Sequence, residues 1–277
     1  MSGLWLRIAT GVGIVLIIML GTLRDATTFF IVFGGIAALC LVEFTKIVYH
    51  ENPKNTANTV RRIFGIGLGL MPLLWMISFL SEAIVISNSL FFIGVVLLFF
   101  LMMIFELFVD APQPIQNLAY TGLGMVYIGL PFALLFYLQS FYEPSLVLGI
   151  ILLVFMNDSL AYLVGSRIGK TPLFPRISPK KTWEGILGGS VFTFILAASY
   201  SFIFYQNEPF HWEWIVAALL IVIFGPIGDL TESMIKRNFK IKDSSSILPG
   251  HGGFLDRFDA FIFVIPFVTF YFLLILQ

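Results

Sequence analysis

Apolar runs of about twenty residues, each closed by a short polar connection, recur along almost the whole chain. Crossing the hydrocarbon core of a bilayer as a helix takes roughly 20 such residues. Nine stretches approach that length: Leu4–Leu20, Thr28–Tyr49, Arg62–Leu80, Ile84–Val109, Leu118–Gln139, Ser145–Gly165, Ile186–Tyr205, Trp212–Arg237 and Asp259–Leu276. The pattern predicts an all-α, polytopic integral membrane protein of about nine transmembrane helices. Arg7 lies within the first run, but no small-residue cleavage site follows, so this segment reads as a retained helix.

Composition agrees, since 58% of the 277 residues are hydrophobic and only 12% charged, against about a quarter charged in a soluble domain. The 16 basic and 16 acidic residues cancel overall, but not locally. Cytoplasmic segments beside spanning helices hold an excess of Lys and Arg. With nine spans, the N-terminus shares a side with the even-numbered connections. Arg7, Lys46, Lys54, Arg61, Arg62, Arg167, Lys170, Arg176, Lys180, Lys181, Lys236, Arg237, Lys240, Lys242 and Arg257 fall on or beside that side, and Arg24 alone falls opposite. The expected N-terminus is therefore cytoplasmic, and the outer loops hold Asp25, Glu82, Glu143, Glu208 and Glu213. Cys40 is the single cysteine, which rules out an intramolecular disulfide.

Residues 1–140 read as scaffold, with room for dimer contacts, and residues 141–277 as the region that carries chemistry. In the first half, Glu43 and Lys46 are three apart on one helix and read as a local ion pair with a snorkelling lysine. Glu106 and Asp110 read as interfacial. The glycines at 65, 67 and 69 lie in an apolar span, so close helix packing explains them better than a nucleotide loop.

The polar residues of the second half gather in two cytoplasmic connections and the helix ends feeding them. The first cluster spans Asn157–Gly185. Asp158 lies about two turns inside the membrane boundary, where an unpaired carboxylate costs on the order of 3 kcal/mol. It therefore needs a partner, or hydrogen bonds to neighbouring helices through Asn157, Asp158 and Ser159. Pro172, Pro175 and Pro179 stiffen the loop holding Arg176, Ser178, Lys180 and Lys181, and a rigid basic loop suits an anionic ligand or anionic lipid heads. Gly165, Gly169, Lys170 and Thr171 miss the P-loop spacing by one residue and follow an apolar helix instead of a strand.

The second cluster spans Gly228–Asp259. Asp229, Glu232, Ser233 and Lys236 share one helical face. Gly250, Gly252 and Gly253 permit close backbone approach, and Asp256 and Asp259 lie three apart where the last helix starts. Carboxylates at a helix beginning, glycine loops and clustered Lys and Arg are the parts of a magnesium-dependent phosphoryl or nucleotidyl transfer, the hard cation taking oxygen ligands.

Ser233–Asp259, SMIKRNFKIKDSSSILPGHGGFLDRFD, resembles the signature segment of the CDP-diacylglycerol synthases, or phosphatidate cytidylyltransferases. The resemblance rests on Ser233, Lys236, Arg237, Lys242, Asp243, Pro249, His251, Gly252, Gly253, Asp256, Arg257 and Asp259, joined by Asp158–Tyr162 and by SPKKTWEG at Ser178–Gly185. It implies transfer from CTP to phosphatidic acid on an all-helical membrane fold that forms a homodimer, with short cytoplasmic loops forming the active site. Asp229, Asp256 and Asp259 would then hold Mg²⁺, with a second cation such as K⁺ left open. Lys236 joins them as catalytic. Ser178, Lys180, Lys181, Ser233, Arg237, Lys242, Asp243, His251 and Arg257 would bind phosphate, CTP or lipid, and Asp158 would support them. Membrane lipids, not nucleic acid, are the expected surroundings, in a cell inner or plasma membrane with the active site facing the cytoplasm.

Three other readings compete. A transporter would spread polar residues through the membrane depth, whereas these gather toward one face. A CDP-alcohol phosphotransferase would carry a paired-aspartate helix opening that is absent here. A CTP-dependent lipid kinase would release CDP in place of pyrophosphate.

Overall fold

A computed structural model of the protein describes residues 3–49, 56–77, 87–109, 111–204, 211–248 and 252–275, and the side chains of residues 3–10 and 204 are not described. His251, Asp110, Lys54, Glu82 and Glu208 lie outside the described residues, as does the Arg7 side chain. In the apolar interior of a bilayer every backbone group must be satisfied within its own segment, so the apolar runs become helices. These are α1 (Gly3–Leu23), α2 (Ala26–Val48), α3 (Thr56–Ile77), α4 (Asn88–Phe108), α5 (Pro114–Phe141), α6 (Pro144–Ile168), α7 (Trp183–Phe204), α8 (Glu213–Asn238) and α9 (Leu255–Ile275). Eight of them are long and apolar enough to span a membrane, and the part of α1 whose side chains are described, Gly11–Leu23, is a shorter apolar helix. The protein is an all-α polytopic membrane protein.

The runs located the helices better than their ends. α3 begins at Thr56, six residues before the expected Arg62, and α9 begins at Leu255 instead of Asp259. Within α5 the backbone widens into a π-helical stretch, Met125–Gly129, which apolar periodicity does not encode. Asp25 caps α2, its carboxylate accepting from Thr28 N at 2.7 Å and from the Thr28 hydroxyl at 2.8 Å. Those donors hold the Asp25 carboxyl below the usual carboxylate range.

The described chain divides into two compact units, one of Met1–Phe141 with Asp243–Leu255, the other of Tyr142–Lys242 with Asp256–Gln277. In the first unit, Phe29, Phe33, Phe132 and Phe136 fill the core around α2. Gly65 and Gly69 face Thr45 and Leu41 of α2, as helix packing requires, while Gly67 faces open space. Arg61 and Glu106 are both buried. They form a buried two-pronged pair, Nε–Oε1 2.5 Å and NH2–Oε2 3.0 Å, completed by Asn58 and Asn117. Burial pushes the Tyr49 phenol up to about 12, its hydroxyl donating to Asn117 O at 2.7 Å. The second unit packs Phe155, Phe258 and Phe261 between α6 and α9, and Trp214 against Tyr200 and Phe272.

Candidate active site

In the second unit α8 and α9 touch at Gly228. A Cβ there would stand 2.6 Å from Phe263 Cβ and 2.9 Å from the Asp259 carbonyl oxygen. Only glycine permits that approach. It brings Asp229, the next residue of α8, into electrostatic reach of Asp259 on α9, and Asp158 on α6 acts on both. Lys181 serves all three, forming an ion pair with Asp229 Oδ2 and acting on Asp158 and Asp259. The Ser233 hydroxyl donates to Asp229 Oδ1 at 3.4 Å, Arg257 acts on Asp158, and Asp259 Oδ1 accepts from Ala260 N at 2.7 Å.

The same face of α8 continues through Glu232 and Lys236. Lys236, 8% exposed, pairs with Glu232 one turn back and with Asp256 Oδ1 at 2.6 Å. Glu232 is fully buried, and its Oε2 pairs with the Lys236 ammonium. Glu232 also acts on Asp256 and Asp259, so the two groups of charges form one network. Five carboxylates, Asp158, Asp229, Glu232, Asp256 and Asp259, face Lys181, Lys236 and Arg257, leaving a formal charge of −2 when all are ionised. Glu232 shares the spacing that drew attention to Asp229 and Lys236, yet its weight in the site comes from burial.

Lys181 reaches the network from a short hairpin. The proline-rich connection folds as β1 (Pro172–Phe174) and β2 (Ser178–Thr182), antiparallel with Pro172 opposite Thr182 and Phe174 opposite Ser178. Glu184 closes its base, accepting from Lys170 N at 3.0 Å and Thr171 N at 3.1 Å. Ser178 is half-buried and Lys180 exposed. At the far end of α8 the chain turns through Lys240 in the left-handed region, φ 57°. Ile241 N bonds to Lys236 O at 3.0 Å and Lys240 N to Arg237 O at 3.1 Å, the pattern that ends a helix by satisfying its last carbonyls. Arg237 donates to Ile241 O at 2.9 Å, and Lys242 is exposed. Asn157 is a structural partner, its Oδ1 accepting from the Thr193 hydroxyl at 3.0 Å.

The segment Asp243–Leu255 belongs to the first unit, where Asp243 is exposed. Glu43 does not form the expected local ion pair with Lys46. It is fully buried, Lys46 is exposed, and the Glu43 carboxylate receives the hydroxyls of Ser244 and Ser245 and the amides of Phe254 and Leu255. A carboxylate alone in an apolar span was the available signal, because burial demands partners; their identity required the fold.

A sequence model of the "Cytidylyltransferase family" matches residues 5–275. Proteins named phosphatidate cytidylyltransferase are similar: that of Bacillus subtilis (strain 168) is 39% identical over 163 residues, 58% of this chain and 60% of the relative. That of Staphylococcus haemolyticus is 40% identical over 162 residues and that of Staphylococcus aureus (strain COL) 41% over 164, each covering 58% of this chain and 59% of the relative. The chain thus matches about 60% of the length of these curated relatives. Because the family's model runs through the first helix, both polar clusters and the last helix without leaving the chain, the protein belongs to the cytidylyltransferase family.

Proposed function

We propose that the protein is a phosphatidate cytidylyltransferase, converting CTP and phosphatidic acid to CDP-diacylglycerol and pyrophosphate at the cytoplasmic face of a plasma membrane. The observation that carries this reading is the acid-rich, lysine-threaded network on α6, α8 and α9. A lipid phosphate oxygen attacks the α-phosphorus of CTP, and the bond to the bridging oxygen breaks as pyrophosphate leaves. The attacking oxygen is already ionised near neutral pH, so positioning and charge neutralisation suffice. Lys181, Lys236 and Arg257 supply positive charge to the phosphates, and the exposed Lys180 and Lys242 with Arg237 and Ser178 extend that surface.

The donor set fits a hard divalent cation, being made of carboxylate oxygens with a formal −2 charge. Among the described residues no three His, Cys, Asp or Glu side chains form a ready cage. Mg²⁺ usually takes one or two carboxylates and completes its shell with water and substrate phosphates. Asp229, Asp256 and Asp259 are the proposed ligands, and bound Mg²⁺ would neutralise charge on the triphosphate. CTP and the lipid phosphate add more negative charge, the ground for a second cation such as K⁺. Homodimer assembly is proposed on the resemblance alone, and light scattering in detergent tests it.

The decisive assay incubates purified protein in detergent with labelled CTP, phosphatidic acid and Mg²⁺. Expected products are CDP-diacylglycerol and pyrophosphate in equal amounts, abolished by EDTA. Release of CDP, or no lipid product, refutes the reading.

A further inference from the structure

A buried carboxylate is costly until donors surround it, and hydrogen bonds to a charged acceptor are about twice as strong as neutral ones. Glu43 has four donors. Ser244 Oγ at 2.7 Å and Leu255 N at 2.9 Å reach Oε2, and Ser245 Oγ at 2.6 Å and Phe254 N at 3.0 Å reach Oε1. Each oxygen thus receives one hydroxyl from the start of the signature loop and one amide from its end. The two amides belong to the beginning of α9, where helical N–H groups lack internal acceptors and favour an anion.

Two further features fit the loop to this carboxylate. Leu248 N bonds to Gly252 O at 2.9 Å, and Gly252 has φ 84°. At Gly253 a Cβ would collide with Ser244 Oγ and the Glu43 carboxylate. The loop is therefore built around Glu43 from both ends.

We propose that Glu43 is a positioning residue for the cytidylyl transfer. It fixes the loop Asp243–Leu255 and thereby sets the first turn of α9, from which Asp256 and Asp259 project. This rests on the functional reading above. Glu43 itself touches no reacting atom in this scheme.

Glu43→Gln replaces one acceptor oxygen with a donor, so two of the four donors lose their partner. Hydrogen–deuterium exchange resolves the loop, and steady-state kinetics resolve kcat from KM. The expected result for Glu43→Gln is exchange at the Phe254 and Leu255 amides faster by about tenfold, with kcat lower by about 10- to 100-fold and KM for CTP changed less than kcat. Glu43→Asp, which keeps the charge, recovers part of both. Unchanged exchange overturns the proposal, as does faster exchange with kcat within about twofold of the parent. If Glu43→Gln does not fold, the Ser244→Ala/Ser245→Ala double variant is judged by the same two readouts. If the parent protein itself makes no CDP-diacylglycerol, the functional reading falls, and the exchange comparison still decides whether Glu43 anchors the loop.

Discussion

Replacing Gly228 with alanine should damage catalysis as well as stability. The added Cβ meets Phe263 Cβ at 2.6 Å, the Asp259 carbonyl oxygen at 2.9 Å and Ala260 Cα at 3.0 Å. These atoms are backbone or next to it and cannot swing aside. Carbon pairs rest at about 3.5–4.0 Å, so α9 must withdraw from α8 by roughly 1 Å. Overpacking of this kind costs about 1–3 kcal/mol, and the better helix propensity of alanine returns up to about 1 kcal/mol, leaving a loss of about 0–3 kcal/mol. The same displacement separates Asp229 from Asp259, and a misplacement of about 1 Å can cost 100-fold in rate. The assay is the initial rate of CDP-diacylglycerol formation in detergent with Mg²⁺, run beside a thermal melt. Gly67→Ala is the control, because a Cβ there meets nothing within 4 Å, and it should keep the parent rate and an equal or higher Tm. A Gly228→Ala protein with turnover within about twofold of the parent would refute the argument, as would equal impairment by Gly67→Ala.

Lys236→Met leaves Glu232 and Asp256 facing each other without their ammonium; breaking a buried pair costs about 3–5 kcal/mol, so Tm should fall, and adding Glu232→Gln should restore much of the Tm but not the turnover. Arg61→Met should destabilise by a similar amount, about 3–5 kcal/mol, through the buried Glu106 carboxylate. The Arg61→Met/Glu106→Gln double variant should regain stability and, measured in the cytidylyl transfer assay, turn over within severalfold of the parent. The α2 cap has a predictable pH response. Asp25 titrates below its ordinary range in the folded state, so its stabilising charge is fully present above the unfolded value and is lost as pH falls through the lowered folded value. Amide exchange at Thr28 should accelerate across that acid window, and Asp25→Asn should remove the transition.

The sequence by itself determined that the chain is a bundle of membrane-length helices, because twenty apolar residues in a row have one low-energy fate in a bilayer. It also determined where chemistry had to be sought, since Asp158, Asp229, Asp256 and Asp259 are too expensive near the membrane without partners. It could not assign those partners. Lys181 meets Asp229 only because the proline-rich connection folds as a hairpin, and Lys236 lies between Glu232 and Asp256 because α8 and α9 close on Gly228. Glu43 lies three residues from Lys46, which suggested a local ion pair, and Glu106 lies near a helix end beside Asp110, which suggested an interfacial place. The structure buries both, giving Glu106 to Arg61, 45 residues away, and Glu43 to Ser244 and Leu255, more than 200 residues away. Helix formation is a local satisfaction of backbone groups and can be read from neighbours in sequence. The pairing of buried charges is settled by which helices pack together, and that is a property of the tertiary structure.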